Sequence, residues 1–158
     1  MTFKPTYKKV LDITIPGVPQ AVQSVKIGRV GRFARAYQPA KVTNWKTFVK
    51  LCASEAVKGI PDWVPLDEAL AVRFVYIFPL LKSMPKRLKK IIEAGGTVLK
   101  TSKPDLTDNL NKGVCDGLSG VIWSDDARIA IHAGGIKKYG LTPKTIVTVY
   151  TIEDVDAY

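Results

Sequence analysis

The sequence predicts a single small α+β domain over residues 1–158, a mixed or antiparallel sheet of about four strands packed with two to three helices. Three observations predict it. Four segments alternate apolar and polar residues or run nearly continuously apolar, as strands do. Three others repeat apolar residues at helical spacing. And 158 residues with 46% hydrophobic content are enough to bury a real core.

The first strand runs over residues 8–16 with Val10, Ile13 and Ile15, and Pro16-Gly17-Val18-Pro19 closes it. Residues 17–41 read as a long loop holding Lys26, Arg29, Arg32, Arg35 and Lys41 and no acid. Phe33 and Tyr37 lie among those charges, where rings can stack on unpaired bases while arginine forks meet phosphates. Over 41–58, Trp45, Phe48, Val49, Cys52, Ala53 and Ala56 trace the buried face of a helix, with Thr43 as its cap and Gly59 as its stop. Residues 69–78 are apolar on both faces, which predicts a central strand covered on two sides. A short basic helix follows over 84–94, with Ser83 as cap, Pro85 in the first turn and Gly95-Gly96 as terminator. A third helix spans 107–118, where Leu110, Val114 and Leu118 recur every four residues. Residues 127–138 and 143–152 read as strands joined at Tyr139-Gly140-Leu141-Thr142 into an antiparallel hairpin, with Arg128 and His132 on an exposed face of the first.

Charge narrows the function. The chain carries 24 Lys and Arg against 14 Asp and Glu, net +10, which suits a polyanionic partner. Residues 82–103 hold seven of those bases and only Glu93 as an acid. No apolar run approaches the roughly 20 residues of a membrane span, and Met1 to Pro5 have no apolar core of a secretory signal behind them. Cys52 and Cys115 form no redox or metal motif, as expected of free thiols in a cytoplasmic protein.

Against this basic background, residues 105–126 contain Asp105, Asp108, Asp116, Asp125 and Asp126 against the single Lys112, a net −4. On the third helix Asp108, Lys112 and Asp116 fall at i, i+4 and i+8 on one face, with Asp105 just before it. Converging carboxylates repel unless a cation lies between them, and an all-oxygen set favours Mg²⁺ or Mn²⁺ over zinc. Such an ion activates water and polarises a phosphate, and a lysine beside it can neutralise charge in the transition state. Each residue also has a plainer role. Asp105 or Thr107 could cap the helix, Asp108 and Lys112 could form a surface ion pair, and Asp125-Asp126 could be a solvated turn.

The run Lys103-Pro104-Asp105-Leu106-Thr107-Asp108-Asn109-Leu110-Asn111-Lys112, followed by Asp116-Gly117-Leu118 and Trp123-Ser124-Asp125-Asp126, resembles the signature of the RusA family of Holliday-junction resolvases. The family pattern is Lys-Pro-Asp-x-Asp-Asn-Leu-x-Lys, then Asp-Ala-Leu-Asn-Gly, then Trp-x-Asp-Asp. Ile15 to Pro19 and Gly31 to Pro39 are similar to its basic N-terminal region. The resemblance implies a RusA-like fold and a homodimeric endonuclease that nicks four-way DNA junctions with Mg²⁺ or Mn²⁺. Its implied metal ligands are Asp105, Asp108 and Asp126. Lys112 matches the active-site lysine, Asp125 a supporting acid, and Asp116 a structural position. Two residues, Leu106 and Thr107, separate Asp105 from Asp108 where the family has one; a wider turn at the helix entrance can absorb the extra residue and leave Asp105 in reach of the ion, or the residue can swing Asp105 away. Gly117 replaces the family's alanine and weakens the helix end by up to about 1 kcal/mol. Lys26, Arg29, Arg32, Arg35, Lys86 and Lys103 are the candidate DNA contacts. Two other functions share these features: a basic nucleic-acid-binding module without cleavage, and a nuclease for other branched or RNA substrates.

Overall fold

The computed structural model describes residues 3–22, 26–30, 33–37 and 40–158, with backbone alone for 26–30, 33–37 and 40–43. In chain order the elements are β1 (Thr6–Pro16), β2 (Lys26–Val30), β3 (Phe33–Tyr37), α1 (Ala40–Val57), β4 (Leu70–Phe78), α2 (Lys86–Glu93), β5 (Val98–Leu99), a π-helical turn (Leu106–Leu110), α3 (Asn111–Leu118), a 3-10 turn (Asp126–Arg128), β6 (Ile129–Tyr139) and β7 (Lys144–Glu153). This is the expected α+β domain, with a mixed five-stranded sheet of order β1-β7-β4-β6-β5 in place of about four strands. The added strand, β5, is two residues long and leaves no alternation to read.

The sheet corrects the expected terminal hairpin. β4 pairs antiparallel with β7 on one side and parallel with β6 on the other, so consecutive strands β6 and β7 straddle β4 and do not pair. The long apolar run Leu70–Phe78 takes the central slot, where burial rewards it most. The connection passes over the end of β4: Gly140 N–H donates to Phe78 O at 2.9 Å, and a side chain at Gly140 would meet Ile77. Cover on the second face of β4 is partial, since Ala71 and Ile77 are buried but Arg73 is exposed.

The expected long loop over 17–41 is also corrected. Its middle forms the β2–β3 hairpin, antiparallel from Lys26 opposite Tyr37 to Val30 opposite Phe33. Ile27, Val30, Phe33 and Tyr37 are strand formers scattered among the charges, and pairing rather than alternation reveals them. Lys26, Arg29 and Arg35 stand on this hairpin, and Arg32 lies outside the described residues.

The core lies between one face of the sheet and the helices α1 and α3. Leu11, Ile13 and Ile15 from β1, Val72, Phe74 and Tyr76 from β4, and Val147 and Val149 from β7 meet Trp45, Val49 and Ala53 from α1 and Leu110, Val114 and Leu118 from α3. Phe48, expected in the core, is 38% exposed at the edge of α1. The expected caps also shift. Thr43 is inside α1, and Pro85 rather than Ser83 precedes α2. Gly95 does close α2, at φ +87° with its N–H on Ile92 O at 3.0 Å.

Gly117 gains a packing role that its helix propensity hides. A Cβ there would lie 2.6 Å from Val49 Cγ1 and 3.0 Å from the Lys46 carbonyl, so α1 and α3 cross where no side chain fits. Gly117→Ala is therefore expected to lower the melting temperature. Overpacking costs about 1–3 kcal/mol and outweighs a helix-propensity gain of about 1 kcal/mol. A raised melting temperature would show that the crossing yields.

Candidate active site

Two arms of the chain carry the charged residues. The first is Lys103–Lys112. From β6, the Lys137 ammonium donates to the carbonyls of Ser102 at 2.8 Å and Pro104 at 2.7 Å, fixing the Lys-Pro-Asp run to the sheet. The chain then enters the helix through the π-turn: Leu110 N–H bonds Asp105 O at 3.1 Å and Asn111 N–H bonds Leu106 O, both five residues back. Each such ring encloses one residue more than an α-turn. A wider turn is one of the two ways open to the extra residue between Asp105 and Asp108, and the chain takes it. Leu106 packs against Gly135 of β6, where an added Cβ would meet its Cδ2 at 3.0 Å, and Leu110 enters the core with no exposure.

The plain roles open to the first arm are not taken up. Asp105 occupies the N-cap position, yet its side chain makes no capping bond. Asp108 and Lys112 do not pair with each other. Among the described residues, the exposed side chains of Asp105, Asp108 and Lys112 have neither a hydrogen bond nor an ion pair within the protein. Lys103 and Lys86 are likewise exposed nearby in sequence, the latter opening α2.

The second arm is Gly120–Arg128. Trp123 is fully buried, and its Nε1–H donates to Ser119 Oγ at 3.1 Å. Leu66 clips this arm on both sides, its N–H on Ile122 O and its carbonyl accepting from Ser124 N–H, both at 2.9 Å. Beyond the tryptophan, Asp125 caps the 3-10 turn by accepting from Ala127 N–H at 2.8 Å. Asp67 accepts from the Ser124 hydroxyl at 2.6 Å and from Arg128 Nε at 2.8 Å. Those partners, the Ser124 hydrogen bond first, hold the Asp67 carboxyl below the ordinary range.

The carboxyl of Asp126 moves the other way. Partial burial raises it, and the hydrogen bond and charge of Asp125 and the charge of Asp116 add to the rise. The neighbouring Cys115 thiol is pushed up to about 12 by burial, with Asp126 and Asp116 contributing. So the fold sets Asp116, Asp125 and Asp126 within electrostatic reach of one another at α3, and Asp116 is held by Lys46 of α1 at 2.9 Å. Asp105 and Asp108 are not among the groups acting on Asp126. Among the described residues, no three of His, Cys, Asp or Glu stand close enough to hold one metal ion.

The family model for the endodeoxyribonuclease RusA matches residues 16–150, which takes in both arms, β2 to β6 whole and most of β7. The chain belongs to the RusA family. No individually curated protein matches it. For a RusA-family chain the donor chemistry here fits a hard divalent ion: carboxylate oxygens only, one of them raised by burial and by the hydrogen bond and charge of its acidic neighbours. Mg²⁺ commonly takes one or two carboxylates and completes its shell with water and substrate phosphate, so a closed three-ligand cage is not required. Among the described residues, no helix is long and apolar enough to cross a membrane.

Four residues at the site escaped the sequence. Asp67, a lone acid in the loop before β4, gives no local sign that it will meet Ser124 and Arg128. Tyr76 and Asn111 are joined by a hydrogen bond of 2.6 Å, and His132 reaches Asn111 at 3.4 Å while stacking on Phe74 at 5.7 Å between centroids. Alternation on β6 placed His132 on a surface face. His132 is indeed exposed there, and from that face it also reaches Asn111 at the start of α3.

Proposed function

We propose that the chain is a Mg²⁺- or Mn²⁺-dependent endodeoxyribonuclease that hydrolyses phosphodiester bonds in four-way (Holliday) DNA junctions, acting inside the cell in recombination and repair. The observation that carries this reading is the first arm: Asp105 before the π-turn, Asp108 within it and Lys112 just after it in α3, all exposed and without partners among the described residues. Membership of an endodeoxyribonuclease family gives those free charges their chemistry.

Asp108 and Asp126, with Asp105 before the widened turn, are the acids that would hold the ion; the three do not stand close enough without it, so binding would draw them together. When bound, the ion supplies Lewis acidity toward a phosphate and a water of lowered pKa. Lys112 contributes a positive charge one helical turn from Asp108, suited to the charge that builds on the phosphate oxygens. Asp125 keeps the second arm in shape through its bond to Ala127 N–H, and Asp116 is committed to Lys46. Lys86 and Lys103, with the hairpin residues Lys26, Arg29 and Arg35 and with Arg32, provide phosphate contacts. A two-fold homodimer would present two such sites to a symmetric junction.

The test is competition between a labelled four-way junction and duplex, flap and RNA substrates at one Mg²⁺ concentration. Preferential paired nicking of the junction is expected. Equal cutting of flaps or RNA would keep the chemistry and reject the substrate. Salt-sensitive binding with no cleavage under Mg²⁺ or Mn²⁺ would make the chain a binding module.

A further inference from the structure

Asn111 stands at the joint between the π-turn and α3. Its backbone N–H closes the second of the two wide hydrogen bonds, on Leu106 O. Its side chain turns to the sheet. Tyr76 of β4 donates its hydroxyl proton to Asn111 Oδ1 at 2.6 Å, and Asn111 Nδ2 faces His132 Nε2 of β6 at 3.4 Å. Tyr76 has no exposure, its ring stacks on Phe74, and burial holds its phenol above the ordinary range, so it stays a donor. Phe74 also stacks on His132. One asparagine is therefore held by two neighbouring strands, on an aromatic bed, at the joint of an irregular helix.

The bond to Tyr76 fixes more than the asparagine. A π-turn is a strained insertion that relaxes to other helical hydrogen bonding unless its surroundings hold it. Asp108 lies within the turn and Lys112 directly follows the joint. We infer that Asn111 is a positioning residue, which locks the π-turn to β4 and β6 so that Asp108 and Lys112 project in one fixed relation. The functional consequence rests on the proposed nuclease reading; the positioning itself does not.

Tyr76→Phe and Asn111→Ala test it in the full-length protein. Hydrogen exchange is the first readout, because Tyr76→Phe leaves residues 105–112 chemically unchanged. The Leu110 and Asn111 amides are expected to exchange at least tenfold faster in Tyr76→Phe while amides of β4 and β7 keep their protection. Junction cleavage is the second readout. kcat should fall roughly 10–100-fold in Asn111→Ala, the usual effect of losing an orienting partner, with junction affinity within twofold of wild type. Unchanged exchange at Leu110 and Asn111 in a folded Tyr76→Phe protein overturns the inference whatever the activity. So does an unaltered kcat in Asn111→Ala. A wild-type protein that cuts no junction rejects the nuclease reading, and the exchange result still decides the clamp.

Discussion

Replacing Asp126 by Asn is expected to abolish Mg²⁺-dependent cleavage while junction binding survives. Asp126 is the acid whose environment is least content with its charge, being partly buried beside Asp125 and Asp116. A divalent ion relieves that repulsion, and an amide oxygen cannot replace a carboxylate there. A fall in kcat of roughly three orders of magnitude is the scale expected for losing a principal stabiliser of the transition state. Asp108→Asn should behave alike from the other arm. The same substitution has an opposite effect on stability. A carboxyl raised by folding leaves the native state binding more protons than the unfolded chain between the ordinary and the raised value. Stability contributed by Asp126 therefore falls as pH rises through that window and stays low above it. At neutral pH and without metal, Asp126→Asn should melt slightly above wild type, and Mg²⁺ should raise the wild-type melting temperature but not that of the variant. An inactive variant that melts far below wild type would point to misfolding instead.

The largest effect on stability is expected at Trp123. It is fully buried, its indole N–H is bonded to Ser119, and the second arm leaves the core through it. Trp123→Ala should cost about 3–5 kcal/mol through lost burial and the cavity left behind. Against a typical total of about 5–15 kcal/mol, that is a large share of the fold. Trp123→Phe keeps most of the volume and gives up one hydrogen bond, a loss of about 0.5–1.5 kcal/mol. Denaturant unfolding distinguishes the two. If Trp123→Ala unfolds at the wild-type midpoint, the tryptophan does not anchor the arm that carries Asp125 and Asp126.

The elements themselves were largely legible. The apolar run of β4, the helical spacing of Trp45, Val49 and Ala53, and the four-residue repeat of Leu110, Val114 and Leu118 place the core correctly. The motif that resembles RusA also pointed to the family that the chain belongs to. Pairing was harder to read. Nothing local tells β6 and β7 to leave room for β4, because that choice depends on a strand some fifty residues upstream. The π-turn shows the mixed case. The longer spacing between Asp105 and Asp108 signals one residue too many, but only the sheet contacts of Leu106 and Asn111 show how it is housed. Gly117 and His132 show a related limit. Propensity and alternation describe one element, and the contacts of both residues lie between two.

The most direct test of the central claim is strand cleavage of a synthetic four-way junction by the wild-type protein, with Mg²⁺ and then with the metal chelated. Paired nicks on opposing strands are expected to appear with Mg²⁺ and vanish on chelation. An intact junction in both lanes, with the protein bound to it, would contradict it.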